Sequence, residues 1–290
     1  MTMARRGFLT VIGAGFAAAC SPLGTLNGLN SLAPGDRGTR KVASGVAFGS
    51  DPRQRLDIYG PARADGPSPV VTFFYGGSWA SGTRGGYGFA AKAFASRGYT
   101  VVVPDYRLVP EVHFPAFVED GAAAIAWTQG NIARHGGDPA RLALVGHSAG
   151  AHIAMLLALD PRWLRAAGSD PARLRAAVGL SGPYDFLPFS VGATRNAFGR
   201  ASDPRLTQPI NFARKDAPPI LLATGTEDRL VLPRNSRKLA AALRDAGATV
   251  ELKEYDGLGH VGAVLALSKP FRGRAPVLAD TLAFLKAHNG

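Results

Sequence analysis

The chain has 290 residues, 46% of them apolar, which suits one large α/β domain better than two small ones. Its formal charge of +12 would fit a nucleic-acid binder, but the basic residues are mostly single arginines among Ala, Gly and Pro. With no basic run and no basic stripe carrying aromatics, the charge reads as a solvated, weakly anion-attracting surface. Cys20 is the only cysteine, so intrachain disulfides and cysteine metal sites are excluded.

In chain order, Arg5-Arg6-Gly7-Phe8-Leu9 opens an apolar segment that runs to Ala19 and is too short to span a bilayer comfortably. It resembles a twin-arginine export signal. Ala17-Ala18-Ala19-Cys20 satisfies a small-x-small peptidase site and is close to a lipobox, with Ala17 where Leu is usual; either route starts the mature chain at Cys20. The expectation is an export signal at 1–19, a flexible Gly/Pro/Asn-rich linker at 20–41 and a catalytic domain at 42–290. The protein would then be periplasmic or extracellular, with a membrane tether if Cys20 is lipidated. A disordered cytoplasmic extension is the alternative. Gly13-Ala14-Gly15-Phe16-Ala17-Ala18 matches a dinucleotide fingerprint, but no strand precedes it, and Pro22, Gly24 and Gly28 follow where a helix is required.

Beyond the linker, apolar runs and turn signals alternate. Strands are predicted at Ser44 to Phe48, Arg53 to Tyr59, Val70 to Phe74, Tyr99 to Val103, Arg141 to Val145, Ala176 to Leu180, Ile220 to Ala223 and Thr249 to Tyr255. Helices are predicted at Tyr87 to Arg97, Phe117 to His135, Ala151 to Leu159, Pro233 to Asp245 and Ala275 to His288, the last with Pro276 in its first turn. Alternation with nearly all-apolar later strands implies a mostly parallel sheet covered on both faces.

In such a sheet, functional groups gather where the strands end. The fifth strand runs into Gly146-His147-Ser148-Ala149-Gly150 and then a small-residue helix. G-x-S-x-G alone is weak in a chain with 36 glycines; between a buried strand and a helix it marks a strained turn that lifts the Ser148 hydroxyl clear of the sheet. A serine needs a base to accept its proton. Of six histidines, His147 and His152 flank the nucleophile awkwardly, His113 and His135 precede it, and His288 is terminal. His260, on a glycine-flanked loop after the last strand, is the one placed to swing over Ser148. The carboxylate that orients it is assigned to Asp228, with Glu227, Asp185 and Asp256 as rivals. The oxyanion is expected to meet the amides of Gly77, Ser78 and Ala149, within a substrate-binding set that includes Gly76 and Trp79.

These residues resemble the α/β-hydrolase superfamily, in the branch of carboxylesterases, kynurenine formamidases and feruloyl or acetyl-xylan esterase-like proteins, over about residues 42 to 288. Val103-Pro104-Asp105-Tyr106-Arg107-Leu108-Val109-Pro110-Glu111, Phe114-Pro115-Ala116, Glu119-Asp120 and Ser181-Gly182-Pro183-Tyr184-Asp185-Phe186 carry the likeness alongside the Ser148 turn. The resemblance implies an α/β-hydrolase fold with an eight-stranded, mostly parallel sheet and a short cap insertion. It also implies that Asp105-Tyr106-Arg107 and Glu119-Asp120 are scaffold contacts. One departure stands out: Tyr75-Gly76-Gly77 occupies the place of the usual His-Gly-Gly. Either the tyrosine hydroxyl replaces the imidazole contact, or the oxyanion loop is altered and turnover is slower.

The expected function is hydrolysis of small or short-acyl carboxylic esters through an acyl-serine intermediate, with no metal or organic cofactor. An arylformamidase uses the same machinery on an N-formyl group, and a non-catalytic binding protein is the rival that Tyr75 raises. Phe186, Phe189, Phe198 and Phe212, in the insertion at about 181 to 218, could line a small apolar pocket or merely pack the cap.

Overall fold

The computed structural model describes residues 36–289. The expected export signal, Cys20 and most of the expected linker lie outside them. Eight strands form one sheet: β1 Thr39–Ala47, β2 Arg55–Pro61, β3 Ser68–Phe74, β4 Thr100–Pro104, β5 Gly137–His147, β6 Leu174–Leu180, β7 Ile220–Gly225 and β8 Val250–Tyr255. Their order is β1-β2-β4-β3-β5-β6-β7-β8. The β1–β2 and β2–β4 pairs are antiparallel and all later pairs are parallel. All eight predicted strands are present. The boundary drawn at residue 42 falls inside β1, whose irregular pairing with β2 blurs the period-two pattern by which it would be read.

Burial explains the strand composition. β4 is wholly buried, as is β7, and each is built round an apolar run, Val101 to Val103 and Ile220 to Ala223. At the far edge, β8 exposes Glu251 and Glu254 and keeps Tyr255 inside.

The helices are α1 Gly88–Ala95, α2 Ala116–Asn131, α3 Ala149–Leu159, α4 Pro161–Ala166, α5 Gly192–Phe198, α6 Arg234–Asp245, α7 His260–Leu265 and α8 Val277–Asn289. Helix α3 is buried at all eleven positions, against β5 and β6, and packs with α2 and α4. α1 meets β4 and β2, while α8 meets β5 and β6. The five predicted helices correspond to α1, α2, α3, α6 and α8. Their ends shift by one to four residues: residues 132–135 form a 3-10 turn after α2, α1 stops at Ala95, α3 begins at Ala149, α6 begins at Arg234, and Pro276 precedes α8 instead of entering its first turn. α4, α5 and α7 were not predicted, because six or seven residues are too few to display a helical period.

The parallel run β3, β5, β6, β7, β8 makes the carboxyl ends of these strands share one edge. Segments that begin at Tyr75, Ser148, Thr226 and Asp256, up to 181 residues apart in sequence, therefore open onto the same place.

Candidate active site

The Ser148 turn explains its own glycines. Ser148 has φ 54° and ψ −121°, a left-handed conformation that costs a non-glycine residue on the order of 1–3 kcal/mol. A Cβ on Gly150 would strike the backbone carbonyls of Phe74 and Tyr75, and one on Gly146 would strike the backbone of Gly150. The turn is held by Ser148 N–H donating to the Leu180 carbonyl at 2.9 Å and by His152 N–H donating to the Ser148 carbonyl at 3.1 Å.

Three side chains meet there. The Ser148 hydroxyl lies 2.8 Å from His260 Nε2, and His260 Nδ1 lies 2.8 Å from Asp228 Oδ2. An ionised carboxylate only accepts, so Nδ1 carries the proton, and Nε2 is left to accept from Ser148. Asp228 Oδ1 accepts the amides of Leu230 at 3.0 Å and Val231 at 2.8 Å. Burial works against ionisation of Asp228, but the His260 hydrogen bond and charge, with the two amides, outweigh it and hold the carboxyl below its ordinary range.

The rivals are placed elsewhere. Glu227 and Asp256 are exposed, and Asp185 pairs with Lys238 at 2.5 Å. His113 meets the Asn196 carbonyl, His135 lies against Trp127 and His288 against Phe284. His260 does not sit in a loop, as the sequence suggested, but is the first residue of α7, with Gly259 at the N-cap. Its position is thus fixed by a helix start.

His147 is a residue whose part the sequence did not reveal. Its Nε2 donates to the His260 carbonyl at 3.2 Å, and its ring lies 5.1 Å from the His260 ring, centroid to centroid. It is buried, and burial with the neighbouring His260 lowers its pKa to about 3, so it stays neutral. His152 is likewise driven by burial to about 4; its Nε2 donates to the Thr207 carbonyl at 2.8 Å, beside Trp79 and Phe198.

The loop after β3 bends through Gly77 (φ +141°), Ser78 (φ 54°) and Trp79 (φ 57°). The Gly77 carbonyl accepts the amides of Ala80 and Ser81, both at 3.0 Å, and the Ser81 hydroxyl at 2.9 Å. No group among the described residues engages the amides of Gly77, Ser78 and Ala149. Ser78 and Ala149 line the same cavity as Ser148. Gly76, unlike these three, turns its amide to the Tyr87 hydroxyl. Its lack of a side chain serves packing: a Cβ there would come within 2.9 Å of both His147 and Ser148.

Tyr75 resolves into an anchor. Its hydroxyl donates to Asp105 Oδ1 at 2.9 Å and accepts from Arg53 at 3.1 Å, while the Tyr106 hydroxyl donates to the Tyr75 carbonyl at 2.8 Å. The ring stacks on Tyr87 and Tyr106. Arg84 bridges Asp105 to Asp57, which also pairs with Lys41. Arg107 pairs with Asp120 at 2.8 Å, as the scaffold expectation requires, but the Glu119 side chain is exposed.

The cavity beside Ser148 has a volume of about 390 Å³. Of the four phenylalanines expected around it, only Phe186 lines it. Phe198 is fully buried among Trp79, Phe114 and Phe117; Phe189 stacks on it, and Phe212 lies under Arg162. Trp79, Leu187, Val191, Leu230 and Leu232 supply apolar wall in their place. Among the described residues, no three His, Cys, Asp or Glu side chains gather as metal ligands would.

A sheet in this order, with a strained serine after β5 and an acid and a histidine after β7 and β8, defines an α/β-hydrolase fold. The chain belongs to the BD-FAE family, whose model matches residues 56–243. A probable isoprenylcysteine alpha-carbonyl methylesterase of Oryza sativa subsp. japonica is 35% identical over 265 residues, covering 83% of this chain and 62% of that protein. Esterase LipC of Mycobacterium tuberculosis is 32% identical over 238 residues, 74% of this chain and 58% of its own length. The chain thus spans about 62% of the length of the first of these curated relatives. Esterase B of Lactobacillus rhamnosis superposes with a TM-score of 0.79 at 22% identity, covering 91% of this chain and 90% of that one, a likeness of fold.

Proposed function

We propose that the protein is a carboxylic-ester hydrolase working through an acyl-serine intermediate, on small or short-acyl esters. The observation that carries this reading is the continuous relay from Ser148 through His260 to Asp228, with both links at 2.8 Å. Ser148 Oγ attacks the ester carbonyl carbon and passes its proton to His260 Nε2. Asp228 stabilises the resulting imidazolium, and the Gly77, Ser78 and Ala149 amides take the carbonyl oxygen as it gains charge, helped at Ala149 by the start of α3. His260 returns the proton to the departing alcohol. Water then repeats the sequence, releasing the acid and regenerating Ser148. The named esterase and methylesterase relatives support the ester class. The modest cavity supports a small group beside Ser148.

A fluorophosphonate probe tests the mechanism: the wild type should label at Ser148 and Ser148→Ala should not, with the fold unchanged. Absence of label on the wild type would favour a binding protein. Good turnover of N-formylkynurenine with failure on p-nitrophenyl acetate and butyrate would make the arylformamidase reading the right one. We also propose export with cleavage before Cys20 and lipidation there, read from the sequence alone; retention of Arg5-Arg6 in protein purified from its native host would refute it.

A further inference from the structure

We propose that the mouth of the active-site cavity is a seat for an apolar chain on the alcohol side of the ester, so that the substrate is an amphiphile with a short acyl group. This rests on the short-acyl hydrolase reading above. Five large apolar side chains are exposed among the described residues: Leu187 (39%), Val191 (55%), Leu206 (37%), Leu230 (71%) and Leu232 (40%). Single exposed apolar residues are ordinary on a protein surface. Four of these five, all but Leu206, line the one cavity that holds Ser148, which is not ordinary.

The four come from two separate segments, one in the β6–β7 connection and one following Asp228, so no local sequence pattern makes them neighbours. Both segments are pinned in their exposed positions. The Asn235 side-chain oxygen accepts the amides of Tyr184 and Asp185, each at 3.0 Å, at the root of the first. Asp228 holds the amides of Leu230 and Val231 in the second, so the carboxylate that orients His260 also fixes the rim. A rim held open in this way keeps apolar surface in water until something covers it.

The cavity of about 390 Å³ is near the low end for small-molecule sites and opens to solvent past these four exposed side chains, so a substituent that extends out of it crosses the rim. With a short acyl group inside, that substituent is the alcohol. Covering the rim should raise kcat/KM by up to about fourfold per methylene. A lipid surface is the competing occupant. The rim is continuous with the cavity wall that reaches Ser148, and this favours a chain belonging to the substrate itself.

The experiment measures kcat/KM for alkyl acetates from ethyl to octyl, kept monomeric, on the wild type and on Leu230→Ser/Leu232→Ser, with p-nitrophenyl acyl esters from acetate to octanoate as the second series. The wild type should favour octyl over ethyl acetate by more than about tenfold, and the double variant should lose at least about fivefold of that ratio. Labelling of the variant by a small fluorophosphonate checks that its site is intact. A flat or falling alkyl series, or a ratio unchanged in the variant, would overturn the proposal. So would a length effect that arises only when phosphatidylcholine–phosphatidylglycerol vesicles are present. A rise confined to the acyl series would overturn both this assignment and the short-acyl reading. Failure to hydrolyse any acetate, with Ser148 unlabelled, would instead end the hydrolase reading on which it rests.

Discussion

Tyr75 shows how one buried side chain sets the form of a loop that does chemistry. Its hydroxyl stands between Asp105 and Arg53, and burial with the Asp105 charge keeps it protonated far above the ordinary tyrosine range. Tyr75→Phe leaves the shape but strips one hydrogen-bond partner from two charged groups, which should cost about 1–3 kcal/mol of stability, read from denaturant midpoints. Its effect on turnover should come through looser Gly77 and Ser78 amides, as a lower kcat with KM little changed. His147 acts through its neighbour. Its neutral ring packs 5.1 Å from the His260 ring, tilted by 39°, and its Nε2 holds the His260 backbone. His147→Phe keeps the ring and loses the hydrogen bond; His147→Gln does the reverse. If the hydrogen bond to the His260 carbonyl holds that residue in reach of Ser148, kcat should fall in His147→Phe and be largely kept in His147→Gln. Equal kcat in both variants would assign His147 to packing alone.

At the scale of elements, the approach of α3 to the sheet decides the site. Gly150 lies where a Cβ would enter the carbonyls of Phe74 and Tyr75, so Gly150→Ala must push α3 off β3 and should destabilise by more than about 2 kcal/mol, with loss of fluorophosphonate labelling even in the folded fraction. Wild-type labelling by that variant would mean that the contact is slack. The motif around Ser148 was legible because the backbone strain it needs demands glycine at fixed offsets. The inner strands were legible because burial on both faces writes apolar runs, and the edge strands β1 and β8, which lie partly in water, were legible from the turn signals around them. α5 and α7 were not, since helices of six or seven residues owe their form to tertiary packing. The phenylalanines of the insertion show the same limit: composition announced an aromatic cluster, but which of its members faces substrate depends on packing around Phe198, which no local pattern encodes.

For the whole molecule, two buried histidines make stability depend on pH. His147 and His152 have folded pKa values of about 3 and about 4, below the 6.5 of the free side chain, so the unfolded chain binds more protons between these limits. Their contribution is complete above pH 6.5 and is lost as pH falls toward 4 and 3, on the order of 5 kcal/mol for His147 and 3 kcal/mol for His152 at full extent. Thermal midpoints should therefore drop between pH 7 and pH 5, before carboxylates protonate, and His152→Leu should flatten part of that slope; equal midpoints at the two pH values would contradict it. The sequence by itself determined the strand–helix alternation and the strained serine turn, because burial and backbone sterics act over a few neighbouring residues, while the acid was left among Asp228 and its rivals until the fold brought Asp228 to His260. Only the tertiary structure decided that His260 begins a helix, that His147 supports it, that Tyr75 is an anchor and that four apolar side chains ring the cavity. The contacts behind them join residues 22 to 113 positions apart, and they exist only once the sheet brings its strand ends to a common edge.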